Sequence, residues 1–162
     1  MLATHVFLDT YATDGIRPDL AREVLAGYSP QAFAERLADP ATAFLLAERA
    51  GHLVGFAEVT AERPCPSEEE SARTASTQLV RLYVQGRFQG RGIGRELLQR
   101  AEEVASDAGA AGLWLAAWSG NHGALRFYAR LGYETVGRAD HVVEDRVYST
   151  EVLVKALGEP PR

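Results

Sequence analysis

The chain has 162 residues, 46% apolar and 24% charged, the composition of a soluble globular protein that can bury a core without disulfide or metal staples, and one domain spanning 1–162 is the default. Its 17 Lys and Arg against 22 Asp and Glu leave a net charge of −5, so no overall positive field draws nucleic acid or anionic lipid. A lone cysteine, Cys65 between Pro64 and Pro66, excludes an internal disulfide and a thiolate metal site; with no leader-like start and no apolar run of about 20 residues, the expected location is the cytoplasm, with no membrane partner.

In chain order, the first eleven residues, Pro18–Ala26 and Pro30–Ala38 read as helical. Ala43–Arg49 (AFLLAER) and Leu53–Val59 (LVGFAEV) are apolar runs split by Ala50-Gly51-His52, the pattern of two strands joined by a tight hairpin. Glu62–Ser76 has prolines, a glutamate run and no periodicity, so it reads as a loop whose Glu68–Glu70 face is solvated. Gln78–Val84 (QLVRLYV) follows as a central strand.

At Gly92 the period changes. Ile93, Leu97, Leu98, Ala101, Val104, Ala105 and Ala108 form the stripe of an amphipathic helix ending near Gly109. Gly112–Trp118 (GLWLAAW) is a buried strand, and Asn121 caps a second helix with Ala124, Phe127, Tyr128 and Leu131 on one face and Gly132 as its stop. Tyr133–Val136 and Arg146–Val154 close the chain as strands. The fold class is therefore α/β, a mixed and mostly antiparallel sheet flanked by helices, with a strand-helix-strand unit at its centre.

Between that central strand and its helix, Arg87–Arg95 reads RFQGRGIGR. Glycine permits positive φ and close approach of a ligand to the backbone, and unpaired N–H groups at a helix start, with the helix dipole behind them, favour an anion. Arg87, Arg91 and Arg95 add local positive charge to an acidic protein. A P-loop requires Lys followed by Ser or Thr where Arg95-Glu96 stand, and a dinucleotide fingerprint requires G-x-G-x-x-G where Gly90, Gly92 and Gly94 give G-x-G-x-G. The glycines alone leave open a turn that merely packs helix on sheet.

Gln89-Gly90-Arg91-Gly92-Ile93-Gly94 resembles the Q/R-x-x-G-x-G/A signature of the GNAT acetyltransferases, in register with the Leu82-Tyr83-Val84 strand before it. A second block agrees: Asn121 through Tyr128, followed by Leu131-Gly132-Tyr133, is similar to the family's N-x-x-A-x-x-F/L-Y and x-G-F/Y pattern. The resemblance covers about Gln78 to Gly137 and implies acetyl-CoA as co-substrate. It implies that the backbone of Leu82, Tyr83 and Val84 pairs with the pantetheine arm, and that Gln89, Gly90, Arg91, Gly92, Ile93, Gly94 and Arg95 cradle the pyrophosphate. Asn121 would hydrogen-bond the cofactor, and Tyr128 would contact it and protonate the leaving thiolate. Taken by itself, Tyr128 on an apolar stripe reads as core.

Many relatives carry a glutamate on the strand before the glycine turn; here those positions are Gln78 and Val80, and Glu58 is the substitute by position for the general base. Trp114–Trp118 and the segment Thr10–Ala43 weakly resemble the bacterial spermine and spermidine branch, which implies a polyamine or other small amine, with peptide, amino-sugar and antibiotic acceptors also open. A first strand of the family is expected to be missing, since Val6–Tyr11 already lies almost at residue 1. His5, His52, His122 and His141 show no ligand spacing, so no metal is expected. The competing readings are a non-catalytic acyl-CoA sensor on the same fold, which has no use for Tyr128, and a nucleotide-binding module. A homodimer, the commonest homo-oligomer, is the default assembly.

Overall fold

The computed structural model describes residues 1–143 and 146–158, without the side chains of His141, Val143 and Arg146, so the metal reading of His141 and the domain's last four residues lie outside it. Helices α1 (Leu2–Tyr11), α2 (Pro18–Gly27) and α3 (Pro30–Ala38) come first, then strands β1 (Thr42–Arg49), β2 (His52–Thr60) and β3 (Ala75–Val84). Helix α4 (Ile93–Asp107), β4 (Gly112–Trp118), α5 (His122–Arg130), β5 (Glu134–Val143) and β6 (Arg146–Ala156) complete the order. The sheet runs β1-β2-β3-β4-β6-β5. Only β3 and β4 pair in parallel, linked by the α4 crossover; every other neighbour is antiparallel.

Alternation along β2 sets the layers. Ala57 and Val59 belong to the core formed with Leu97, Leu98 and Ala101 of α4, whereas Phe56 meets Phe33 of α3 and Glu58 meets Arg36 of the same helix. Both faces are covered, so β2 is buried from Val54 to Thr60. Ala50 and Gly51, with φ of 50° and 75°, make the two-residue hairpin turn that the sequence anticipates between β1 and β2.

Two boundaries differ from the sequence reading by three residues or more. Strand β3 starts at Ala75 rather than Gln78, because Ala72 and Ala75 pack with Trp114, Val136 and Val152 in a small second core that ends the loop early. Strand β5 runs on from Val136 to Val143, paired with β6. As expected, no strand precedes β1 among the described residues. Leu2–Tyr11 is a helix that buries Ala3, Val6 and Phe7, and Phe7 packs on Leu20 and Val24 of α2.

Candidate active site

Strands β3 and β4 begin as neighbours and then part. Their pairing runs from Ala75 and Gly112 to Gln78 and Trp114 and stops, although β3 continues to Val84 and β4 to Trp118. The cause lies in the β2–β3 register, where Glu58 opposes Arg81 and Val59 opposes Leu79, so Val80 is an extra residue. Such a bulge bends its strand and increases the local twist. Beyond it, the Gln85 N–H donates to the Val54 carbonyl at 3.0 Å. Ladder alternation then makes Tyr83 the residue that exchanges bonds with Phe56, so Leu82 and Val84 turn their N–H groups away from β2, into the gap.

The gap opens on one side into a cleft of about 480 Å³. Its floor is Leu79–Val84 and Leu115–Trp118, and its far end is Gln89, Gly90, Gly92, Gly94 and Arg95. Gly90 and Gly92 have φ of 72° and 86°, and a Cβ at either would project into open space. Gly92 is the residue before α4, so the N–H groups of Ile93, Gly94 and Arg95 start that helix without an intrahelical acceptor. A negatively charged group fits there, which is the need of a pyrophosphate. Gln89 braces the turn, its Nε2 donating to the Val84 carbonyl at 3.1 Å.

Not every residue of the motif faces the cleft. The side chains of Arg91 and Ile93 line a separate groove beside β1, and the guanidiniums of Arg87 and Arg91 lie 5.9 and 5.6 Å from the Phe88 ring. Of the three arginines of the motif, Arg95 lines the cleft, as do Arg81 and Arg130 from outside the motif. Asn121 lines the cleft and also caps α5, its Oδ1 accepting the Ala124 N–H at 3.1 Å.

Tyr128 lies on the cleft wall and is 8% exposed. Its ring meets Phe127 and Tyr133 edge-on at 5.2 and 5.6 Å. Burial, with the Tyr11 phenol adding to it, pushes its pKa well above the ordinary phenol value, so the hydroxyl keeps its proton. A protonated phenol in a cleft is a hydrogen-bond donor that can stabilise negative charge developing on a leaving sulfur and act as its general acid.

Glu58 takes neither of the positions open to a free strand glutamate. It is 1% exposed and is held between Arg81, whose Nη1 donates to its Oε2 at 2.6 Å, and Arg36, at 3.4 Å. It lines neither this cleft nor the cavity across the gap. One carboxylate oxygen takes the Arg81 hydrogen bond and the other faces the Arg36 guanidinium, so both oxygens point at arginines rather than at a substrate.

Across the gap is a second cavity of about 400 Å³. Phe7 and Tyr11 of α1, Tyr28 after α2, Trp114 and Trp118 of β4, and Tyr148 of β6 wall it with aromatic faces, and Glu23 and Asp140 contribute carboxylates. The two stretches singled out for the acceptor, Trp114–Trp118 and Thr10–Ala43, contribute Trp114, Trp118, Tyr11, Glu23 and Tyr28 to this wall, but no motif indicates Phe7, Asp140 or Tyr148, which come from other segments. Trp114 and Trp118 are four apart on a single strand and so face the same way.

Residues 11–133 match the acetyltransferase (GNAT) family. Over 96% of its length the chain is 25% identical to an uncharacterized N-acetyltransferase from the pepI 3′ region of Lactobacillus delbrueckii subsp. lactis, covering 88% of that protein. It is also 32% identical to the N-alpha-acetyltransferase RimI of Mycobacterium tuberculosis over 68% of this chain and 63% of that one. Among solved structures, PaiA N-acetyltransferase of Thermoplasma acidophilum in complex with coenzyme A superposes with a TM-score of 0.72 at 21% identity, covering 96% of this chain and 88% of that one. With the family matched over three quarters of its length, the chain belongs to the GNAT acetyltransferases and is an acetyl-CoA-dependent enzyme.

Proposed function

We propose that the enzyme transfers the acetyl group to a primary amine of a small molecule, polyamine-like in presenting a cationic amine, or of a peptide, by direct attack in a ternary complex. What carries this reading is the gap between β3 and β4, with a glycine-ended cleft on one side and an aromatic cavity on the other. Acetyl-CoA, when bound, supplies an acyl carbon activated by a thiolate leaving group. Backbone groups of Leu82 and Val84 would hold its pantetheine arm, the Tyr83 backbone expected for the same role being paired with Phe56 instead; Gly90–Arg95 would hold its pyrophosphate, and Asn121 would add a side-chain bond.

The residues divide the chemistry between them. The Val84 N–H, facing the gap, donates to the acyl oxygen as charge develops there. Nitrogen bonds to the acyl carbon as the carbon–sulfur bond breaks, and Tyr128 gives its proton to the sulfur. The proton shed by the nitrogen passes to water, from which the tyrosine oxygen is reprotonated. Glu58 acts by holding Arg81 at the gap rather than by taking that proton, and the amine enters neutral.

The aromatic cavity supports an amine acceptor, since ring faces and the carboxylates Glu23 and Asp140 stabilise an arriving cation. A peptide acceptor is supported by a likeness to the ribosomal-protein-alanine N-acetyltransferase of Brucella melitensis, 26% identical with a TM-score of 0.66. An amine and peptide panel assayed for release of free coenzyme A thiol tests the proposal: turnover with any member sustains it. Tight coenzyme A binding with no turnover across the panel would instead support the sensor reading.

A further inference from the structure

Six residues line both the cleft and the aromatic cavity: Tyr11, Val80, Arg81, Tyr83, Ala116 and Trp118. The reacting groups meet among them, and Arg81 is the charged side chain of that set. Its environment carries a surplus of positive charge. Arg36 and Arg81 share the single carboxylate Glu58, and two buried nitrogens of Arg36, Nε and Nη2, have no hydrogen-bond partner. Arg17, which reaches the Tyr148 hydroxyl on the cavity wall, is matched by its own carboxylate, Asp19. The junction thus carries Arg81 as its charged side chain, while Glu23 and Asp140 line the cavity and not the cleft.

Hydrogen-bond directions agree with the charge. Arg81 has five N–H donors; one goes to Glu58, and the guanidinium lies over the Tyr28 ring at 5.3 Å, leaving others at the junction. The Tyr28 and Tyr83 hydroxyl oxygens are 2.8 Å apart. One of the two hydroxyls donates to the other, and with Tyr28 as the donor the Tyr83 hydrogen is left to donate into the junction. Burial, reinforced by Tyr28, holds Tyr83 protonated. Arg81 and Tyr83 thus offer donors and no charged acceptor, an arrangement that suits an anionic oxygen and repels a second ammonium.

We infer that the acceptor is an amino acid rather than a simple polyamine, carrying a carboxylate beside the amine that is acetylated, with Arg81 and the Tyr83 hydroxyl gripping that carboxylate. An α-amino acid bears both groups on one carbon, so a carboxylate on Arg81 leaves the nitrogen at the same junction. The inference rests on the acetyl-transfer reading above and names its substrate class.

The test compares the common L-amino acids with the same amino acids as C-terminal amides, and with spermidine, by release of free coenzyme A thiol. The best acid should exceed its own amide in kcat/KM by about 10- to 100-fold, the range for losing a hydrogen-bonded charge pair, and spermidine should fall below both. Arg81→Met should bring the acid-to-amide ratio to near one by lowering the acid, Arg81→Lys should restore part of it, and Tyr83→Phe should reduce it severalfold. Thermal melting with and without coenzyme A checks that each variant folds; the wild-type ratio needs no variant at all. Equal use of acids and amides, a preference for spermidine, or a ratio that survives Arg81→Met in a folded protein overturns the inference and leaves acetyl transfer standing. Coenzyme A binding with no probe acetylated overturns both.

Discussion

The cleft and the aromatic cavity flank the same gap in the sheet, yet they are built from different materials. The anion-binding end of the cleft is backbone: the strand Leu82–Val84, the turn Gly90–Gly94 and the first N–H groups of α4, all within one short run of sequence. The cavity is mostly side chain, with walls from Phe7, Tyr28, Trp114 and Tyr148, segments far apart in the chain. A backbone site binds what every member of a family shares, because it depends on local conformation. A side-chain site changes with each substitution, so acceptor choice varies while the fold persists.

The sharpest way to break that contrast is to fill the turn. Gly92→Asp places a Cβ and a carboxylate in the open space at a φ of 86°, where an L side chain is strained and an anion repels a pyrophosphate. Coenzyme A affinity measured by calorimetry should fall by more than about 100-fold, in a protein whose circular dichroism stays native. Unchanged affinity would mean that the turn only packs α4 on the sheet.

Next in size is the loss of one oxygen. Tyr128→Phe keeps the ring against Phe127 and Tyr133 and removes the proton donor. Turnover should drop by about 10²–10⁴, with coenzyme A affinity little changed. An acyl donor with a better leaving group, such as an aryl thioester, should recover much of the loss. Turnover within about twofold of the wild type, in an assay limited by chemistry, would return Tyr128 to the core.

Glu58 shows where sequence reading loses its hold. Alternation places it on a strand face, but its burial depends on Arg36 of α3 and Arg81 of β3, and no local pattern announces that pairing. Local signals do well elsewhere: the hairpin at Ala50-Gly51, the stripe of α4 and the Asn121 cap all stand where period and turn chemistry put them. The bulge at Val80, which opens the sheet, has no such signature in QLVRLYV, because it arises from register with β2. Glu58→Gln should therefore act on stability, costing about 3 kcal/mol in urea unfolding as two guanidiniums lose their carboxylate. A turnover loss confined to low pH with no stability change would restore the general-base role.

The smallest expected effect separates two functions of Asn121. Its Oδ1 caps α5 through the Ala124 N–H, while the residue also lines the cleft, so a single alanine substitution confounds the two. Serine resolves them, since its hydroxyl caps a helix about as well as an amide oxygen and is too short to reach as far into the cleft. Asn121→Ala should cost about 1 kcal/mol of stability and weaken coenzyme A binding. Asn121→Ser should keep the stability and still lose the binding contribution, about 0.5–1.5 kcal/mol for one neutral hydrogen bond. Should Asn121→Ser bind coenzyme A as tightly as the wild type, the asparagine belongs to the helix alone, and the cofactor is held on this side by backbone and by Tyr128.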